Sequence, residues 1–374
     1  MSPLELHLHK KLEERKDAGN LRRLKIPGAG VDFYSNDYLG WAASGIISEM
    51  VHSYGPLGTG STGSRLLSGN SAEVEELEQT IAGFHDAEAA LLFNSGYDAN
   101  VGLLGAIADR HTTYIYDELC HASIIDGIRL SQAQAKYKYR HNDLHSLREK
   151  LERLTDKGNV IIVTESVFSM DGDMAPLRHI TAIAAEYNAA VVVDEAHATG
   201  VFGKRGAGLV CEQGLSMQIF ARIHTYGKAL GCHGAAVVGS SLLKQYLVNF
   251  ARPFIYTTAL PAHAVKAISC AYQLLADPVF SNEPLHHLIT YFRKQVAASG
   301  IKGCIDSHSP IQALVVGDNE RTKHIASVLQ QEGLQINPIL SPTVPLGGER
   351  LRICLHSFNT TGQIDDLVAI LGRI

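Results

Sequence analysis

Short apolar and β-branched runs alternate with longer stretches of helical period through the middle of the chain. The runs at 89–94, 113–116, 135–139, 159–164, 190–194, 220–225 and 235–239 predict strands, and 144–154 and 176–187 predict helices between them. Strand and helix in alternation predict an α/β fold, a mainly parallel sheet flanked by helices on both faces. Ligands of such sheets sit beyond the carboxyl ends of the strands, so the chemistry is sought there.

A helical pattern over 262–275 is broken by Asp277-Pro278 and then by Asn282-Glu283-Pro284, which predicts a boundary near 280. Beyond it the pattern reads helix 285–298, strand 311–316, helix 321–331, strands 335–340 and 350–355, and helix 363–371, a smaller α+β domain. Apolar and charged residues alternate along MSPLELHLHKKLEERKDAG as on an amphipathic helix. Three parts are therefore expected: an N-terminal helix and arm over 1–49, a large α/β domain over 50–280 and a small C-terminal domain over 281–374. There is no internal repeat.

Composition narrows the classes. The 374 residues are 45% hydrophobic and 19% charged, enough apolar surface for more than one core and too little charge for a disordered chain. Thirty-three Lys+Arg against 38 Asp+Glu leave a net charge of −5, so no overall field favours nucleic acid. No apolar run approaches the roughly 20 residues that span a bilayer, and the first residues lack an apolar signal core. Six cysteines without a CxxC pair suit reduced thiols rather than a disulfide framework or a zinc site. The expected location is the cytoplasm.

Gly58-Thr59-Gly60-Ser61-Thr62-Gly63 spells GxGxxG, but no strong strand precedes it and no acidic strand end follows at the right distance, so the dinucleotide reading is rejected. Asp194 closes the run Val191-Val192-Val193, where a parallel sheet presents its ligand site. One strand on, Lys228 lies in His224-Thr225-Tyr226-Gly227-Lys228-Ala229-Leu230-Gly231. Lysines are usually solvated, but one held in a tight glycine-flanked loop away from water can form a Schiff base. Pyridoxal phosphate requires a lysine for its aldehyde, a carboxylate for its ring nitrogen and donors for its phosphate. Lys228 and Asp194 supply the first two. Ser95-Gly96-Tyr97 opens a helix after the run 89–94 and offers backbone N–H groups; Ser169 and Thr225 offer hydroxyls. His197 can reach the phenolic oxygen, and His121, following the strand 113–116, can lie on the ring face. Taken singly, each has an ordinary structural role as a cap, turn or core residue; the combination is the signal.

His141 and His145 have i,i+4 spacing, but Asn142-Asp143 reads as the cap of the following helix and leaves His141 outside it, so no metal is expected. The basic clusters Leu21-Arg22-Arg23-Leu24-Lys25 and 136–140 read as solvated faces, or else as docking points for a polyanionic thioester carrier.

The motifs GSRLLSGN (63–70), FNSGYDAN (93–100), ESVFSMDGDMAPL (165–177), VVVDEAHATGVFGKRGAG (191–208), TYGKALG (225–231) and YTTALP (256–261) resemble those of the α-oxoamine synthases, pyridoxal-phosphate enzymes of fold type I. The resemblance runs from Tyr34-Ser35-Asn36-Asp37-Tyr38-Leu39-Gly40 nearly to the C-terminus. SPIQALVVGDN (309–319) and SPTVPLGGERLRICL (341–355) are similar to its biotin-pathway branch. The resemblance implies Lys228 as Schiff-base lysine, Asp194 on the ring nitrogen, His121 on the ring face and His197 at the phenolic oxygen. Gly96, Tyr97, Ser169 and Thr225 match cofactor contacts, and Thr257 or Thr258 matches the residue reaching the phosphate from the second subunit of a homodimer. Asn36 and Arg352 match positions holding the amino-acid carboxylate; Arg22 or Arg23, with Thr343, match acyl-substrate positions.

Alternation in Arg350-Leu351-Arg352-Ile353-Cys354-Leu355 sets both arginines on one strand face, where one can fork a carboxylate; for Arg350 a solvent-facing place on an edge strand is the other reading. The implied activity is a decarboxylative condensation of L-alanine with a pimeloyl thioester on coenzyme A or acyl-carrier protein. A sister enzyme using glycine or serine with another acyl-CoA is the nearest rival. A nicotinamide-dependent dehydrogenase and a catalytically silent subunit are the others.

Overall fold

The computed structural model describes residues 1–24, 26, 28–154 and 158–373, so Lys25 of the first basic cluster lies outside the described residues. The chain divides into two compact units, one of Asn36–Ser169 with Met174–Pro284, the other of Met1–Ser35, Met170–Asp173 and Leu285–Ile374. The expected arm is thus shared: residues to Ser35 have their contacts in the C-terminal unit, and those from Asn36 in the large one.

The large unit is built on seven strands: β1 (Ala89–Phe93), β2 (Thr112–Asp117), β3 (Ala135–Tyr139), β4 (Asn159–Glu165), β5 (Ala190–Asp194), β6 (Ala221–Thr225) and β7 (Ala235–Gly239). Their order is β1-β7-β6-β5-β4-β2-β3. All neighbouring pairs are parallel except those of β7, which runs antiparallel to both β1 and β6. The cause is chain length: residues 226–234 are too few for the dozen or more that a parallel crossover takes. The inner strands β4, β5 and β7 are apolar through their middles because both faces are covered. Leu91, Tyr114, Ile161, Val163, Val192, Ile223 and Val237 face one core with Leu103, Leu104, Ile124 and Ile128, which belong to the helices Gly96–Ala106 and Ala122–Leu130. Short polar side chains start the helices. Ser71, Ser95, Asp143 and Ser240 each accept a backbone N–H of the first turn, satisfying donors that the helix leaves open. Asp143 caps Leu144–Glu152, which leaves His141 outside that helix, paired instead with Asp117 at 2.9 Å. The GxGxxG segment forms neither strand nor helix.

In the other unit, the helix Pro3–Asp17 starts with a Ser2–Glu5 capping box and buries none of its residues. The expected strand over 335–340 is two. Leu334–Gln335 pairs in parallel with Val31–Asp32, while Asn337–Ile339 pairs antiparallel with Arg350–Arg352. The three-stranded sheet has Arg350–Cys354 at its centre, between Asn337–Ile339 and Ile311–Val315. Pro338, which has no N–H to donate, sits on an edge, where that costs least. The edge-strand reading of Arg350 is therefore corrected: its strand is central and every residue in it is buried.

Candidate active site

The carboxyl ends of β4, β5 and β6 and the N-terminus of Gly96–Ala106 surround a cavity of about 280 Å³. Lys228, Asp194, His121, His197, Gly96, Tyr97, Thr225 and Asn36, all singled out in the sequence, line it. Ser169 is half-buried in the loop after β4 and is not among the lining residues.

Lys228 stands in the 226–234 loop, which is closed by Tyr226 N–H to Gly234 O (3.0 Å), Cys232 N–H to Tyr226 O (2.8 Å) and Gly231 N–H to Lys228 O (2.9 Å). Gly231 has φ +61, and a Cβ there would lie 2.6 Å from Ala42 N, so only glycine fits this turn. The Lys228 amine lies 2.9 Å from His197 Nε2. His197 Nδ1 lies 2.8 Å from the Tyr38 hydroxyl, which donates to Asn36 Oδ1 at 3.0 Å. With the hydroxyl proton directed at Asn36, the network assigns the His197 proton to Nδ1 and leaves Nε2 as the acceptor facing Lys228.

Asp194 continues the side-chain parity of Val192 and so points toward Gly96–Ala106. It is 5% exposed. Its Oδ2 accepts from Asn100 Nδ2 at 2.7 Å and its Oδ1 from Ala196 N–H at 2.8 Å. Asn100 Nδ2 also reaches Ser123 Oγ at 3.0 Å, and Asn100 Oδ1 is buried without a hydrogen-bond partner. Ser123 Oγ in turn lies 2.7 Å from His121 Nδ1, which also accepts the Ser123 N–H at 3.2 Å. His121 is thereby held as the N-cap of Ala122–Leu130. Burial lowers the affinity of the His121 ring for a second proton, Lys228 acts in the same sense, and Asp194 and Asp126 oppose them.

The third part of the site is the start of Gly96–Ala106. Ser95 caps it, accepting from Asp98 N–H at 3.1 Å. A Cβ on Gly96 would meet Thr225 Cγ2 at 2.3 Å. The Tyr97 hydroxyl donates to Asp126 Oδ2 at 2.8 Å, so the tyrosine leans away and the backbone N–H end of the helix stays open to an anion.

The other candidates lie elsewhere. Thr257 lines a different, small cavity with Asn94 and Phe254, and Asn94 Nδ2 donates to Thr257 Oγ1 at 3.0 Å and to Thr258 O at 2.9 Å. In the C-terminal unit, exposed Arg22 donates to Thr343 Oγ1 at 3.3 Å, and Arg23 is exposed. Arg350 pairs with Asp171, whereas the buried Arg352 donates to Cys354 Sγ at 2.9 Å. Among the described residues, no group of three or more His, Cys, Asp or Glu is placed to hold a metal ion.

Sequence reasoning did not single out Tyr38, Asn100, Ser123 or Glu165. Glu165 carried a usable signal: like Asp194, it ends a buried strand. Asn100 lies one helical turn after Gly96 and so shares its face. Tyr38 is joined to His197 only by the fold, across 159 positions.

The sequence matches the family of class I and II aminotransferases over residues 29–371. It is 42% identical to 8-amino-7-oxononanoate synthase of Emericella nidulans, over 98% of this chain and 94% of that one. A putative 8-amino-7-oxononanoate synthase of Bacillus mycoides is 38% identical over 98% and 96%. Among solved structures, a serine palmitoyltransferase from S. paucimobilis with a bound PLP–myriocin adduct superposes with a TM-score of 0.88 at 28% identity, over 98% of this chain and 96% of that one. The 8-amino-7-oxononanoate synthase of Francisella tularensis superposes with a TM-score of 0.76 at 29% identity, over 92% and 97%. With the cavity just described, these likenesses make the chain a member of the class I and II aminotransferase family, in its α-oxoamine synthase branch.

Proposed function

We propose that the chain is a pyridoxal-phosphate-dependent acyltransferase that condenses L-alanine with a pimeloyl thioester, releasing 8-amino-7-oxononanoate, carbon dioxide and the free thiol, a step of biotin synthesis. The observation that carries this reading is the convergence of Lys228, Asp194 and the helix N-terminus at Gly96 on one cavity.

The donor set fits the cofactor. Asp194 is a buried carboxylate with one N–H donor on each oxygen, leaving lone pairs for a protonated ring nitrogen. Gly96 and Tyr97 offer backbone N–H groups to a phosphate, with the Thr225 hydroxyl alongside, and Ser169 is a further candidate. The bound cofactor supplies an electron sink that acidifies the Cα proton of an attached amino acid.

The chain's own groups do the rest. Lys228 would provide the amine that carries the cofactor and, once displaced, the base for the Cα proton; His197 Nε2, 2.9 Å away, would accept a hydrogen bond from this amine and hold it in place. Asp194 keeps the ring nitrogen protonated through its charge. His121 would cover one ring face and His197 would approach the phenolic oxygen. Asn36 and Arg352 are the candidates for the amino-acid carboxylate, and Arg22 or Arg23 with Thr343 for the acyl chain. Thr257 or Thr258 would serve the neighbouring site of a homodimer.

The choice of L-alanine rests on the 42% identity to a synthase of that name. A second reading, a serine-using enzyme with a longer acyl donor, is favoured by the TM-score of 0.88 to serine palmitoyltransferase against 0.76 to the synthase of F. tularensis. Titrating the visible absorbance of the reconstituted protein with L-alanine, glycine and L-serine separates the two. A response at lowest concentration to L-alanine, with thiol release from a pimeloyl thioester, supports the first reading; tighter response to L-serine moves the function to the second.

A further inference from the structure

Glu165 ends β4 as Asp194 ends β5, and the two are direct partners in the ladder. Glu165 is 2% exposed, lines the same cavity, and accepts the backbone N–H of His121 on Oε1 at 2.6 Å. His121 is the N-cap of Ala122–Leu130, and the backbone N–H of an N-cap lies outside the helix's own bonds and requires a partner from elsewhere. The side chain of His121 is tied to Ser123, so its ring can hold its place over the cavity only if its backbone is fixed as well. We infer that Glu165 is a positioning residue for His121, acting as a hydrogen-bond acceptor for that backbone amide rather than as a charge.

The surroundings agree with a neutral acceptor. Asp194 on β5, Lys228 on the 226–234 loop, Asp117 at the end of β2 and His121 itself face this carboxyl. Burial and then Asp194 raise it to about 8, against the pull of Lys228 and of the His121 amide. A protonated carboxyl still accepts through its carbonyl oxygen. Glutamine places a carbonyl oxygen at the same reach. Aspartate keeps the acid but withdraws it by one carbon–carbon bond, about 1.5 Å.

The inference builds on the cavity as a cofactor site, yet its first readout is independent of any cofactor. Hydrogen exchange at the His121 amide is followed in the cofactor-free full-length chain and in Glu165→Gln, Glu165→Asp and Glu165→Ala. Slow exchange in the wild type and Glu165→Gln, with exchange at least about tenfold faster in whichever of Glu165→Asp and Glu165→Ala folds, is the expected result. Fast exchange in the wild type, loss of protection in Glu165→Gln, or unchanged protection in Glu165→Ala overturns it.

The second readout is titration of the same proteins with pyridoxal phosphate, followed by absorbance and by the circular dichroism induced in the bound cofactor. Glu165→Gln should stay within about twofold of the wild-type affinity, and Glu165→Asp should bind about tenfold more weakly with a diminished dichroic band. Equal affinities throughout, or a Glu165→Gln weaker than Glu165→Asp, would assign the residue a charge role or none. Exchange effects as expected in a wild type that binds no pyridoxal phosphate would uphold the positioning of His121 and reject the cofactor reading.

Discussion

Lys228 Nζ lies 2.9 Å from His197 Nε2, and the far side of the same imidazole rests 2.8 Å from the Tyr38 hydroxyl. With its proton directed at Asn36, the tyrosine offers its oxygen to a proton on His197 Nδ1, which makes Nε2 the nitrogen that accepts from the lysine. Tyr38→Phe removes that hydroxyl while preserving the buried ring. The expected outcome is a fall in kcat of about tenfold, the scale of one lost hydrogen bond to a buried polar group, with far-ultraviolet dichroism unchanged. A variant with wild-type kcat would remove Tyr38 from the relay.

The helix N-terminus makes a separate demand. A Cβ at Gly96 would lie 2.3 Å from Thr225 Cγ2, and Thr225 is a β-branched residue at the end of β6 whose χ1 has little freedom to yield. Gly96→Ala must therefore push the first turn of the helix away from β6, displacing the N–H groups that face the cavity. Affinity for pyridoxal phosphate should drop at least about tenfold, measured by titration of the cofactor-free protein, with a smaller change in thermal midpoint. Unchanged affinity would mean that the phosphate is held elsewhere.

Much of the sheet was legible because its inner strands are apolar on both faces: β5 and β7 fall where the runs 190–194 and 235–239 stand. The edge strand β3 falls where the run 135–139 stands, although it carries two lysines and is largely exposed. Asp194 and Lys228 were legible for a related reason, since strand ends and glycine-flanked loops mark themselves locally. The strand 335–340 was misread because periodicity cannot show that Leu334–Gln335 and Asn337–Ile339 take different partners. For Arg350 two readings stayed open for a similar reason: alternation gives a face, but whether a strand is central or at an edge is decided by its neighbours in the sheet. Tyr38 left no local trace, because its role consists of a bond to a residue 159 positions away.

A buried polar cluster behind β6 makes stability depend on pH. His85 and His224 are stacked with ring centroids 3.7 Å apart and are fully buried. His85 is paired with Ala207 O and the Tyr272 hydroxyl, and His224 with Thr199. Burial, with Arg222 adding to it, lowers His85 from 6.5 to about 3, and burial with His85 and Arg222 holds His224 well below 6.5. Burial also raises Glu195 from 4.5 to about 7 and Glu165 from 4.5 to about 8. Above pH 6.5 the folded chain holds protons on these two carboxyls that the unfolded chain lacks, so their contribution is lost as pH rises through about 7 to 8. Between 6.5 and 4.5 the unfolded chain gains two protons on the histidines, which balances the two on the folded carboxyls. Below 4.5 the unfolded chain protonates both carboxyls as well, while the two buried histidines stay neutral in the fold, so stability falls as pH drops. Urea midpoints across pH 3.5–8.5 should therefore show a plateau from about 4.5 to 6.5 with a loss on either side. A continuous decline from 6.5 downward would show that the carboxyls are ionised in the fold.

The last prediction separates the two arginines near the N-terminus. Arg22 donates to the Thr343 hydroxyl at 3.3 Å, which joins two of the three positions assigned to the acyl substrate and leaves the guanidinium with further donors for a carboxylate or a thioester oxygen. Arg23 is its exposed sequence neighbour, and of the two it is Arg22 that makes the bond to Thr343. Arg22→Ala should raise KM for the pimeloyl thioester about tenfold, the value of one charge-assisted contact, with kcat and the absorbance response to L-alanine little changed. Arg23→Ala should stay within about twofold of wild type in both constants. The opposite ranking would transfer the acyl contact to Arg23 and make the Arg22–Thr343 bond a purely local tie of the N-terminal segment.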